Sequence, residues 1–365
     1  MSTFDFHVVS SVKGGCGKST FALYLADYLA SLKNTKDVYL IDLDTGGTSW
    51  YDDYREYLDR NETDGIFLND IIDNVKIVKN RSPWWHFTNS DESEWMNSFE
   101  GINGKIQNVN LCIADPQKRK GTEDYQIDLF EQAVSSLIEN EILNNDKYTW
   151  LVDKNRNKSG KNYGKVHIIL DMPPGVESKA ERVFRYWLPK KIGNSPKDNA
   201  LRLYILSTLT TSSISANWEY VVSLFNPVSY KDWLIQVRRS ENIAFSTISI
   251  ILNDISDFRK YSSLDAEKTL KPCIQKNCQS KEYKQIANRK VNLFWAFIPH
   301  AQCVHSRYTF TTKYLGTHPV RSIDKLSDIP ECECMEWNTS RKNPLSVLEI
   351  GRKHLKDVLE YITEH

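Results

Sequence analysis

Between an apolar run at residues 6–12 and a helical pattern at residues 18–32, the chain reads Lys13-Gly14-Gly15-Cys16-Gly17-Lys18-Ser19-Thr20. No other stretch restricts the possible folds so closely. A strand, a glycine-rich turn and a helix in that order form the setting in which a loop wraps a phosphate group. The glycines let successive backbone N–H groups turn inward around oxygen atoms. The N-terminus of the following helix adds its partial positive charge. On this reading Gly14, Gly15, Cys16, Gly17, Lys18, Ser19 and Thr20 contact the phosphates of a nucleotide. Lys18 reaches the terminal phosphates and Ser19 places its hydroxyl on Mg²⁺. Cys16 stands where a small residue is needed, and is read as loop filler rather than a redox sensor.

The rest of the chain continues the rhythm. Strand-like runs are expected at residues 6–12, 38–43, 109–114, 166–171, 201–207, 246–253 and 291–298. Helical patterns are expected at 18–32, 126–139, 177–186, 215–225, 303–315 and 345–362. Several of the runs are continuously apolar, as strands covered on both faces are. Strand–helix alternation of this kind predicts an α/β fold, a doubly wound and mostly parallel sheet flanked by helices, with ligands outside the carboxyl ends of the strands. Three segments interrupt it: a tryptophan-rich stretch at about 68–99, an excursion with a basic tip at 146–164, and a basic insertion at 254–290. Because the motifs span most of the length, one domain over residues 1–365 is expected.

Composition narrows the setting. Lys plus Arg and Asp plus Glu both number 47, so no global field draws the chain to nucleic acid or anionic lipid. No apolar run is long enough for a membrane span, and MSTFDFHVVS lacks the basic start of a secretory leader. Seven cysteines fit a reducing compartment better than a disulfide framework. A cytoplasmic location is therefore expected.

Lys13 is not needed by an ordinary phosphate loop. With it, the motif resembles the deviant Walker A sequence of the ParA/MinD family of ATPases. In that family the extra lysine crosses a dimer interface to the partner's nucleotide, a role like that of an arginine finger. Further motifs extend the resemblance. Leu40-Ile41-Asp42-Leu43-Asp44 is similar to the family's D-x-D element, with Thr45 and Gly46 in place of the usual Pro and Gln. The resemblance implies that Asp44 orients the attacking water and that Asp42 holds a water on Mg²⁺. Asp171-Met172-Pro173-Pro174-Gly175 resembles the family's Walker B strand end and second switch, which implies that Asp171 lies beside the Mg²⁺ shell. LSTLTTSSISA at 206–216 resembles its strand into a Thr-rich loop and helix. Asn253 resembles the residue that bonds the adenine edge, and Pro299 the one that borders the base. The catalytic set implied is Lys13, Lys18 and Asp44. The metal set is Ser19, Asp42 and Asp171. The resemblance also implies ATP and Mg²⁺ as cofactors, a homodimer in the ATP-bound state, and a protein partner that stimulates hydrolysis.

Other constellations have bland readings. Cys273, Cys278, His300, Cys303, His305, Cys332 and Cys334 lack the tight spacing of a structural zinc site. Trp84, Trp85, Phe87, Trp95 and Phe99 either cover a sheet edge or form a partner surface. Residues 258–290 hold nine basic residues against three acidic ones, a segment that either grips DNA phosphates without reading sequence or is a solvated loop. Leu348, Leu355, Val358, Leu359 and Ile362 recur at helical spacing, which reads as core packing rather than a membrane-targeting tail. Two jobs remain: an ATP-driven dimerising switch that positions or partitions DNA or a protein cargo, or an accessory ATPase docked on a fixed protein partner without DNA.

Overall fold

The computed structural model describes residues 4–45, 65–74, 83–87, 100–101, 104–105, 109–115, 117, 127–144, 164–175, 179–188, 200–208, 211–224, 244–255, 292–299, 359–360 and 362–363. Its strands are β1 (Phe4–Ser10), β2 (Thr35–Asp42), β3 (Trp85–Phe87), β4 (Glu100–Gly101), β5 (Gly104–Lys105), β6 (Val109–Cys112), β7 (Lys165–Asp171), β8 (Ala200–Ser207), β9 (Ala244–Ile255) and β10 (Asn292–Pro299). The described helices are α1 (Lys18–Ala30), α2 (Leu68–Asn74), α3 (Ile127–Ser136), α4 (Lys179–Arg182) and α5 (Thr211–Leu224). Helix α3 continues in π-helical form over Leu137–Leu143, and α4 does so over Val183–Trp187.

One eight-stranded sheet runs in the order β10-β9-β8-β1-β7-β2-β6-β3, and β4 and β5 pair separately as a short antiparallel hairpin. Every neighbouring pair in the large sheet is parallel except β3 on β6 at the edge. The chain leaves β1 through α1 for β2, two places away on one side, and later enters β8 on the other side. The carboxyl end of β1 is therefore the switch point where such sheets open a crevice.

The continuous apolar runs have the expected cause. Every residue of β1 is buried, and β7 and β8 are buried almost throughout. Side chains alternate between two cores. Phe6, Val8, Ile168, Leu170 and Ile205 meet α3 and α4 on one face. Val9, Leu40, Ile169, Tyr204 and Leu206 meet Phe21, Leu25 and Leu29 of α1 on the other. Leu359 and Ile362, near the end of the chain, are fully buried in this second core, which supports the packing reading of the last helical pattern.

Some boundaries differ from expectation. The first part of the 68–99 segment forms α2, whose Leu68, Ile71 and Ile72 enter the core and whose Asn69 Oδ1 accepts the Asp115 N–H at 2.6 Å. Trp85–Phe87 adds the antiparallel edge strand. Trp84 beside it is buried, edge-on to Tyr39 at 4.8 Å between ring centroids. The Trp84 side chain thus packs at this edge of the sheet. Trp95, Phe99, most of 146–164 and 256–290, and the helical pattern at 303–315 lie outside the described residues, as do Cys273, Cys278, His300, Cys303, His305, Cys332 and Cys334.

Candidate functional site

The loop from Ser11 to Gly17 leaves β1 at its carboxyl end and turns into α1. Gly15 and Gly17 take φ of 70° and 82°, left-handed values that would strain any residue with a Cβ. Gly17 caps α1 with no side chain of its own, and no acid lies in the first turn of the helix. That end is therefore open to an external anion. Lys13, Gly14 and Gly15 are exposed at the rim, whereas Cys16 and Lys18 are buried. Burial pushes the Cys16 thiol up, so the sulfur is a packed, protonated group, as filler would be.

Two strands deliver the three acids. Asp42 ends β2 and Asp171 ends β7, directly opposite each other in the parallel register. Asp44 follows in the next turn, and its N–H donates to Asp42 Oδ1 at 3.0 Å. The Leu43 N–H donates to the Asp171 carbonyl at 2.8 Å, which ties this turn to β7. The Pro173-Pro174-Gly175 corner is held to the loop in turn. The Met172 N–H bonds the Val9 carbonyl at 2.9 Å, and the Gly175 N–H bonds the Ser11 carbonyl at 3.0 Å. Gly175 has φ of 103°, which only glycine adopts readily.

Asp171 is the most unusual group here. It is 0% exposed, and neither carboxylate oxygen has a hydrogen-bond partner. Burial drives its pKa up to about 7, although the Lys18 charge and the nearby Ser19 hydroxyl pull it down; the Asp44 charge pushes the same way as burial. Leaving a carboxylate dry and unbonded is costly within the protein alone. An oxygen donor of this kind beside a hydroxyl and a second strand-end carboxylate is a set that a hydrated Mg²⁺ accepts.

Lys13, at the rim, donates from Nζ to Ser212 Oγ of α5 in its own chain at 3.0 Å. Asn253 lies two residues inside the end of β9, and Pro299 ends the neighbouring β10. Pro299 is registered with Ile255 across an irregularity in the pairing. Both thus sit at the carboxyl edge of the sheet, on the side of β1 away from Asp42.

Sequence reasoning missed two groups. Asn217 of α5 accepts the Val12 N–H at 3.1 Å, from a helix flagged only by its Thr/Ser-rich start. Asp5, His7 and His167 have ligand-type atoms within 4.8 Å of one another under α1. The one available signal was polar residues alternating with apolar ones in two otherwise apolar strands. Asp5 is bonded to Lys165 Nζ at 3.1 Å, Arg202 at 3.4 Å and the Ala200 N–H at 3.3 Å. His7 bonds His167 at 3.0 Å and the Tyr204 hydroxyl at 3.0 Å. Two cations already face one carboxylate, so a metal ion would add to a net positive charge in a buried place. The cluster works as internal wiring across β7, β1 and β8.

Residues 7–265 match the CobQ/CobB/MinD/ParA nucleotide binding domain. The chain belongs to that family. No curated protein matches it. Among solved structures it is similar to the MinC:MinD cell division protein complex of Aquifex aeolicus, with 15% identity over 99% of this chain and 96% of that one at a TM-score of 0.45. A plasmid partition protein from Borrelia burgdorferi shows 15% identity over 84% and 95%, with a TM-score of 0.42. The septum site-determining protein MinD from Pyrococcus horikoshii OT3, complexed with Mg-ADP, shows 12% identity over 90% and 93%, with a TM-score of 0.41. At these identities and overlaps the likeness bears on no residue's role. Among the described residues no helix is long and apolar enough to cross a membrane.

Proposed function

We propose that the chain is a ParA-like switch that binds ATP and Mg²⁺, dimerises in that state, hydrolyses the nucleotide and then separates. The reading rests chiefly on Asp171, a buried carboxylate without a hydrogen bond beside Lys18, at the foot of a glycine loop that begins with Lys13. Ser19, Asp42 and Asp171 would hold Mg²⁺, which would supply positive charge against the terminal phosphates. The loop amides and Lys18 bind the phosphates of the chain's own nucleotide. Asp44, half-exposed at the mouth, orients the attacking water. Asn253 and Pro299 border the base. In the structure of the single chain Lys13 rests on Ser212; in the dimer it would cross to the partner's phosphates and neutralise charge that develops on the transferred group.

The decisive experiment mixes Lys13→Ala with Asp44→Ala. Lys13→Ala keeps its own Asp44 and borrows Lys13 from the other chain. The mixture should recover up to half-site hydrolysis although each variant alone is slowed roughly 100-fold or more. Lys13→Ala that dimerises and hydrolyses as wild type does would sink the reading. Cargo is a separate matter: ATP-dependent, steeply salt-sensitive binding to random DNA marks a partitioning switch that grips DNA through 258–290. Its absence at low salt marks an accessory ATPase docked on a protein partner.

A further inference from the structure

We propose that Asn217 is a positioning residue for Lys13. Its side chain is fully buried in α5 and spans three elements. Oδ1 accepts the Val12 N–H at 3.1 Å, while Nδ2 donates to the Ser213 carbonyl at 2.9 Å and the Leu206 carbonyl at 3.4 Å. One amide thereby joins the end of β8, the first turn of α5 and the peptide that precedes Lys13. The same turn of α5 presents Ser212, whose Oγ accepts from Lys13 Nζ at 3.0 Å. Lys13 is thus referenced to α5 twice, through its neighbour Val12, whose N–H Asn217 holds, and through its own ammonium on Ser212. The chemistry demands an acceptor and two donors on one short, flat group, which is what asparagine offers. A displaced Val12 peptide would leave the phosphate cradle of Gly14–Ser19 formed but would swing the Lys13 side chain away from its target. An error of about 1 Å in such a group costs on the order of 100-fold in rate.

The inference depends on the proposed role of Lys13, so its test has an arm that does not. In full-length protein with Mg²⁺ and ATP, Asn217→Ala should lower kcat roughly 10- to 100-fold and change KM by less than about threefold. Lys13→Ala/Asn217→Ala should be no slower than Lys13→Ala, because both changes remove one function. Asn217→Asp keeps the acceptor for Val12 and, protonated because it is buried against two carbonyl oxygens, retains one of the two donors. It should recover most of kcat even if it melts as low as Asn217→Ala, and a purely structural residue would not behave so. Independently, hydrogen exchange at the Val12 amide should quicken at least tenfold in Asn217→Ala and stay near wild type in Asn217→Asp. Multiplying losses in the double variant, or unchanged Val12 exchange in Asn217→Ala, would overturn the proposal. If wild type hydrolyses no ATP, the functional reading fails, and the exchange measurement alone decides whether Asn217 places the loop entry.

Discussion

Asp5 and Asp171 are buried on the same face of adjacent strands, and their surroundings are opposite. Asp5 lies opposite His167, and Asp171 lies opposite Val9, four residues further along β1 and roughly 13 Å away at strand spacing. Asp5 is held by Lys165, Arg202 and a backbone N–H. Burial raises its pKa, but the His167, Arg202 and Lys165 charges outweigh burial and the net shift is downward. Asp171 has no such bonds, and burial dominates, raising its pKa to about 7. A structural carboxylate is satisfied by the fold. A buried carboxylate left without a hydrogen bond is costly within the fold, and such groups gather at functional sites.

The contrast breaks most visibly at Lys18. Lys18→Ala should abolish ATP binding, because loop amides alone would face uncompensated phosphate charge. Wild type should gain about 2.7 kcal/mol when ATP is at about 100 times its Kd. Equal ATP-induced shifts in Tm for the two proteins would mean that this end of the sheet binds nothing special. Next in size is Asp44→Ala. It should still bind ATP yet hydrolyse roughly 100-fold more slowly, as phosphate release would report.

Substituting the two buried acids sharpens the comparison. Asp5→Asn should destabilise the protein by about 1–3 kcal/mol in urea unfolding, since Arg202 and the partly exposed Lys165 lose their counter-charge. Asp171→Asn should stabilise the nucleotide-free protein and remove Mg²⁺-dependent ATP binding. The pH dependence has a definite sign. The unfolded carboxyl ionises near 3.8 while the folded one keeps its proton up to about 7, so the cost of Asp171 grows as pH rises through that interval. The gain in Asp171→Asn should therefore be present at pH 8 and vanish near pH 4. A loss of stability at pH 8 would show that Asp171 is held by the fold after all.

The smallest effect concerns His167, which burial and the Lys165 and Arg202 charges lower to about 4 despite the opposing pull of Asp5. The unfolded imidazole takes up a proton near 6.5, so stability falls as pH drops from there towards 4. Asp171 acts with the opposite sign over part of this window. In an Asp171→Asn background, adding His167→Gln should shrink the stability difference between pH 7 and pH 5 by on the order of 1–2 kcal/mol. An unchanged difference would assign the acid limb to other groups.

Residues 13–20 determined the phosphate loop by themselves, because its glycines, lysine and hydroxyls act within one turn of chain between a strand and a helix. Continuous apolar runs likewise announced β1, β2, β7 and β8, since strands covered on both faces leave no polar stripe to confuse with a helix. Asp42 and Asp171 were legible as strand ends, but only sheet order made them neighbours across β2 and β7. The Asn217 amide on Val12, the rest of Lys13 on Ser212, and the Asp5–His7–His167–Tyr204 wiring left almost no trace in the chain. Their partners are up to 205 residues apart. Local sequence sets what each side chain can donate or accept. Which donor meets which acceptor is decided when parallel pairing and the packing of α1 and α5 bring distant strands together, so only the tertiary structure could separate a buried acid bonded inside the fold, Asp5, from one left without a hydrogen bond, Asp171.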